Sequence, residues 1–233
     1  MKKSNNYERV NRLRKIIFLI LAIIFLVPTI TLGADNTGEI EIGGGLEFIN
    51  LDYQLMIDGE ELEWTKETED IIDELSSPKG LYLNGIYYLD NKLGIELGFG
   101  ISKSNYKGEI DEQKMEKTNK FQELYSDINY SFNEYLTLKG GASYFRFQEK
   151  NKIEEDNFNE ITEKGSGLGF RGGIGLNYTL GDFILSSDII YRVIQIDIDE
   201  VYDEYKQELI EPDYKQQYIM NPLSIRLGAK YKF

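Results

Sequence analysis

The chain has 233 residues, 26 basic and 40 acidic, for a formal net charge of −14. It contains neither cysteine nor histidine, which excludes disulfides, thiolate metal sites and imidazole acid–base chemistry. A surface this acidic repels nucleic acid, and repels anionic lipid headgroups unless divalent cations screen them.

Met1 to Lys15 carries Lys2, Lys3, Arg9, Arg12, Arg14 and Lys15 against one acid, Glu8. Ile16 to Ile30 is apolar apart from Pro28 and Thr29, and the small residues Gly33 and Ala34 follow. Positive start, apolar centre and small-residue exit are the parts of a secretory signal peptide. Residues 1–34 are therefore expected to be a cleaved leader, cut after Gly33 or Ala34. An uncleaved membrane helix needs roughly 20 apolar residues, and this stretch is shorter and broken near its end. The leader holds six of the 26 bases and one of the 40 acids, which leaves 20 and 39, a net charge of −19 on residues 35–233. That length is one domain's worth, and no linker divides it.

Eight segments of residues 35–233 alternate with the two-residue period of a strand. The first places Ile40, Ile42, Gly44, Leu46 and Phe48 on one face; its phase slips at Ile49–Asn50, which suggests a bulge, and resumes at Leu51, Tyr53 and Leu55. The second is Leu81, Leu83, Gly85, Tyr87, Leu89, and the third Leu93, Ile95, Leu97, Phe99, Ile101. Leu124, Ile128, Tyr130, Phe132 and Leu136, Leu138, Gly140, Ala142, Tyr144 follow. The sixth runs Leu168, Phe170, Gly172, Ile174, Leu176, Tyr178, Leu180, and the seventh Phe183, Leu185, Ser187, Ile189, Tyr191, Val193. The last is Leu223, Ile225, Leu227, Ala229, Tyr231 and the terminal Phe233.

The connections alternate in length. Asp90-Asn91-Lys92, Asn133-Glu134-Tyr135 and Gly181-Asp182 are hairpin turns, whereas 58–78, 103–120, 149–165 and 197–217 are long and polar. Segment 58–78 has nine acids and one base, and 197–217 has eight acids and two bases. Short turns on one rim and long loops on the other are the plan of a closed antiparallel eight-stranded transmembrane β-barrel, an all-β fold with periplasmic turns and extracellular loops.

A soluble lipocalin-like carrier of a lipophilic ligand would alternate too, with its apolar face turned inward. Here the polar face is rich in Gly43, Gly45, Gly94, Gly98, Gly100, Gly141, Gly169, Gly173 and Gly175, which suit a crowded interior. Tyr87, Tyr130, Phe132, Tyr178, Phe183, Tyr231 and Phe233 gather near the short-turn rim, where rings meet headgroups. Both features put lipid outside. The charges sharing the glycine face then form a lumen network: Glu41, Glu47, Glu96, Asp127 and Asp188 with Lys139, Arg171, Arg192, Arg226, Lys230 and Lys232. Residue counting from the short-turn rim pairs Glu41 with Lys230, Glu47 with Arg226, Asp127 with Lys139, and Asp188 with Arg171 or Arg192.

With its leader, strand count, loop asymmetry and the ending Gly228-Ala229-Lys230-Tyr231-Lys232-Phe233, the chain resembles the small outer-membrane barrels of the OmpA/OmpX type. The resemblance implies that Leu227, Ala229, Tyr231 and Phe233 are read by the barrel assembly machinery, and that the protein resides in the outer membrane of a diderm bacterium among its lipids. With the last strand at the end of residues 35–233, no peptidoglycan-binding domain of the kind found in part of that family is expected, nor a wall-tethering role.

Barrels of this kind that act on lipids or peptides generally rely on histidine, and there is none here. The loop acids Glu67, Asp70, Asp73 and Glu74 have no catalytic spacing, so no enzyme activity is expected. Asp197, Asp199, Glu200, Asp203 and Glu204 could attract Ca²⁺ or Mg²⁺ but lack the spacing and glycine of an EF-hand loop. No cofactor or metal site is expected. Trp64, Tyr202, Tyr205 and Tyr214 are candidate loop contacts for an extracellular partner, since such residues are favoured at interfaces. A structural or surface-interaction role is expected first, and a small pore for ions or solutes second.

Overall fold

The structure, a computed structural model, describes residues 37–62, 66–110, 113–154, 159–203, 206, 208–210 and 215–233. The expected leader, residues 1–34, lies outside them. The chain runs through β1 (Ile40–Asn50), β2 (Tyr53–Ile57), β3 (Glu60–Glu61), helix α1 (Lys66–Leu75), β4 (Lys79–Tyr88), β5 (Leu93–Ile110) and β6 (Gln113–Ser131). It continues through β7 (Leu136–Glu154), β8 (Asn159–Leu180), β9 (Phe183–Asp203), β10 (Glu208–Ile210), β11 (Gln216–Met220) and β12 (Leu223–Lys232).

Eight of these strands close a ring in the order β1-β4-β5-β6-β7-β8-β9-β12, all neighbours antiparallel. The seam is β12, which pairs with β1 from Glu41↔Lys232 to Asn50↔Leu223 and with β9 from Leu223↔Tyr191 to Tyr231↔Phe183. Closure leaves no strand edge in the hydrocarbon, where an unpaired backbone group would find no water.

Strand alternation then sorts the side chains. Leu83, Leu168 and Phe170 are 67%, 74% and 77% exposed on the outer wall, while Glu96, Asp127 and Arg226 inside are each 1% exposed. The lipocalin-like alternative is thereby corrected, because it would put the apolar face inside. On the short-turn rim, Tyr130 packs on Phe132, and Tyr231 lies between Phe183 and Phe233 with ring centroids 5.1 and 4.8 Å away. The turns are held by their own side chains. The Asp90 carboxylate accepts from the Lys92 and Leu93 N–H groups at 2.7 Å each, which keeps its pKa below the usual carboxylate range. Asn133 does the same for Tyr135 and Leu136, and Gly181 supplies a φ of 64° to the third turn.

The long connections depart from expectation. Segments 103–120, 149–165 and 197–217 are mostly strand, since β5 to β9 continue past the apolar band. Opposite charges across the ladder replace apolar pairs there: Lys107 with Glu116, Lys117 with Glu149 at 2.7 Å, Lys164 with Glu200 at 3.0 Å. Their polar composition disguised a continuing ladder. Segment 58–78 contains α1, with Ile71 and Leu75 buried one turn apart. The phase slip of the first segment falls where β1 ends and β2 begins. There the N–H groups of Ile49 and Leu51 bond to the carbonyls of Pro78 and Ser76, and β2 turns to β11 as its partner.

Interior glycines make room for rings. A Cβ on Gly98 would sit 2.2 Å from the Tyr125 ring, whereas one on outward Gly140 meets nothing within 4 Å. Gly98→Ala is expected to destabilise the barrel by about 1–3 kcal/mol through overpacking, and Gly140→Ala to leave it unchanged. Urea unfolding in lipid vesicles measures both.

Candidate functional site

The lumen is filled in two layers. The lower layer is ionic. Nearest the short turns, the Lys230 ammonium donates to Glu41 at 2.9 Å, and the Tyr88 hydroxyl donates to the same carboxylate at 2.9 Å. Above it, Lys139 bridges Glu96 at 3.0 Å and Asp188 at 2.8 Å, with Asn84 and Asn129 also donating to Glu96. Three guanidiniums then surround Glu47, Glu123 and Asp127. Arg192 donates to Glu47 at 2.6 Å and Glu123 at 2.9 Å, and also to Ser224. Arg226 reaches the same two glutamates at 2.9 Å each. Arg171 donates to Glu123 at 2.7 Å and lies 3.1 Å from Asp127. Both Asp127 oxygens lack an aligned hydrogen bond, so that pair acts through proximity of charge. Arg171 stacks 3.7 Å over the Tyr125 ring, and Arg226 faces Tyr82 and Tyr125.

The pairs Glu41–Lys230 and Glu47–Arg226 form as residue counting expected. Asp127–Lys139 and Asp188 with Arg171 or Arg192 do not, and are corrected to Asp127–Arg171 and Asp188–Lys139. The reason is glycine. Gly141 stands between Asp127 and Arg171 in the ladder; on β8 Lys139 faces Gly173 and Asp188 faces Gly175, so each charge reaches across a strand at glycine. A Cβ at Gly141 or Gly175 would lie 2.5 Å from the aspartate. Neighbour counting assumed contacts between adjacent strands only. It also missed Glu123, Tyr82, Tyr88 and Tyr125. Glu123 keeps the inward phase of Tyr125 and Asp127, and that phase could have found it.

The upper layer is apolar. Leu51, Leu55, Phe121, Phe145, Phe147, Ile194, Ile196, Tyr218 and Met220 form one buried cluster inside the wall. Phe147 packs between Phe121 and Tyr218 with centroids 5.1 and 5.2 Å away. Between the layers, beside Glu47, Glu123, Arg192 and Ile194, lies a cavity of about 20 Å³, room for about one water.

Leu227, Ala229 and Phe233 lie exposed on the outer face of the seam strand, and Tyr231 is half-buried beside them. Of the candidate loop contacts, Tyr202 is half-buried high in β9, opposite Thr162 and Leu209. Trp64, Tyr205 and Tyr214 lie outside the described residues. The acidic run after Ile196 is spread along β9, where Asp197 is bonded by Gln217, Asp199 by Ser166 and Glu200 by Lys164. Among the described residues, no three acids converge as metal ligands.

Removing one cation from the ionic layer exposes what it balances. Arg192→Ala leaves Glu47 and Glu123 short of a guanidinium inside the wall, with an expected loss of about 3–5 kcal/mol. Lys232→Ala, at the partly exposed pair with Glu39, should cost under about 1 kcal/mol. Urea titration of both variants in vesicles checks the contrast.

The sequence has no match among curated proteins. Among solved structures, the outer membrane protein OprG from Pseudomonas aeruginosa superposes with a TM-score of 0.55 at 16% identity, covering 84% of this chain and 96% of OprG. A major outer membrane protein from Thermus thermophilus gives 0.51 at 15% identity, over 86% of this chain and all of that one. The outer membrane protease OmpT from Escherichia coli gives 0.50 at 12% identity, over 88% and 100%. Identities this low carry the fold alone. The model of one family, described as outer membrane protein beta-barrel domain, matches residues 17–233, and the chain belongs to that family.

Proposed function

We propose that this protein is a closed outer-membrane barrel with a structural and surface-interaction role, displaying acidic, strand-built projections to an extracellular partner. The observation that carries this reading is the doubly filled lumen. Charges lock the lower half in pairs, and an apolar cluster caps it. Eight strands enclose little more than side chains. An apolar constriction also resists wetting even where a gap exists. The strands that continue past the apolar band hold the charged ends of β5–β9, acidic on β9, away from the membrane as a rigid platform. The fold leaves the question of enzyme activity open, since one similar barrel is a protease. The residues argue against it here, because the chain has no histidine and the cavity beside Glu47, Glu123 and Arg192 holds about one water. Export through a cleaved leader and recognition of Leu227, Ala229, Tyr231 and Phe233 by the assembly machinery belong to the same reading.

In planar bilayers the intact protein is expected to give no steady conductance. Phe147→Ser with Ile196→Ser should raise leak events by wetting the cap. Well-defined conductance steps from the intact protein that change with Arg226→Gln would replace this reading with a pore. Trimming 58–78 or 197–217, with the barrel still heat-modifiable on gels, is expected to abolish adherence of cells that display it. Unchanged adherence would remove the interaction role.

A further inference from the structure

The acidic exterior has a local exception on the outer wall. Lys79 on β4, Lys103 on β5 and Lys120 on β6 are exposed and directly opposite one another in the ladder, as Lys79↔Lys103 and Lys103↔Lys120. Arg146, exposed on β7 and touching the Tyr144 phenol, stands opposite Gln122, two residues from Lys120 toward the membrane. Below them the same faces carry Leu81, Ile101, Leu124 and Tyr144, all lipid-facing. The four cations therefore line the boundary where the apolar band ends on the long-loop side.

Their isolation from acid sets them apart. Like charges directly opposite in a ladder repel and destabilise it. Yet among the described residues none of the four has a carboxylate partner. Farther out on the same projections Lys107, Lys117, Lys150, Lys152 and Lys164 all do. The ion-paired lysines and the four without a carboxylate therefore stand at different heights of the same wall.

We propose that Lys79, Lys103, Lys120 and Arg146 bind the phosphate groups of a phosphorylated outer-leaflet lipid. Paired strands are about 4.8 Å apart, so the three lysines span roughly 10 Å, within reach of a headgroup bearing two phosphates. Their stems lie along the apolar wall and their ammonium groups rise to the headgroups. The bound anion removes the repulsion within the strip. The inference rests on outer-membrane placement and not on a closed lumen, so the two readings fail separately.

The test is lipid retention by the full chain refolded in phosphatidylcholine vesicles doped with bis-phosphorylated lipid A. Retained lipid is counted by native mass spectrometry in EDTA, so that acidic side chains cannot hold lipid through divalent ions. The wild type is expected to retain it and to discard the same lipid stripped of its phosphates. Each basic residue near an anionic surface is worth about fivefold, so Lys79→Gln with Lys103→Gln and Lys120→Gln should weaken retention about a hundredfold. The variant's heat-shifted gel mobility should persist, and Lys107→Gln should change nothing. If the triple variant does not fold, Lys103→Gln alone should weaken retention about fivefold. Undiminished retention by these variants, equal retention of the stripped lipid, or equal binding of inorganic phosphate at matched concentration would each overturn the proposal.

Discussion

A backbone in hydrocarbon must satisfy every N–H and C=O from within the protein, and ring closure through β12 is how this chain does so. Once the seam is formed, each side chain along the eight strands has two destinations, lipid or lumen. Carboxylates and guanidiniums cannot enter lipid unpaired, so they collect inside and must find one another there. The lumen network is thus a consequence of closure, and the inward glycines follow from the network. They supply the space over which Arg171 reaches Asp127 and Lys139 reaches Asp188.

The wall changes character with height. Within the apolar band it separates lipid from ion pairs. Above the band both faces meet water, so the inside is free to become apolar and the outside to become charged. The cluster around Phe147 and Ile196 fills the first opportunity. The cross-strand ion pairs of β5 to β9 fill the second. The unpaired strip of Lys79, Lys103 and Lys120 marks the transition, at the level where lipid phosphates would be met.

Most of the fold was legible in the sequence because lipid imposes a strict alternation. Phe183 to Val193 and Leu223 to Phe233 cannot slip by one residue without turning Asp188 or Arg226 into hydrocarbon. Above the band that constraint ends. Phe145, Phe147, Ile194 and Ile196 share the face read as polar, so the apolar cap was not foreseen. Lys150 and Lys164 read as loop because their pairing with Glu160 and Glu200 needs the register. Helix α1 went unread because its acids resemble solvated loop, and the buried side marked by Ile71 and Leu75 is narrow. In the lumen, the identities of the charges were readable, while their partners depended on which strands lack a side chain at each level.

The central claim is the inside-out assignment, and the absence of cysteine makes it directly measurable. Single cysteines at Leu83, Phe170 and Leu227 on one face, and at Asn84, Ser143 and Ser186 on the other, can each carry a nitroxide in the vesicle-embedded protein. Collisions with dissolved oxygen should be frequent at the first three and rare at the second, in strict alternation along each strand. The opposite alternation would place the charges against lipid and contradict the account.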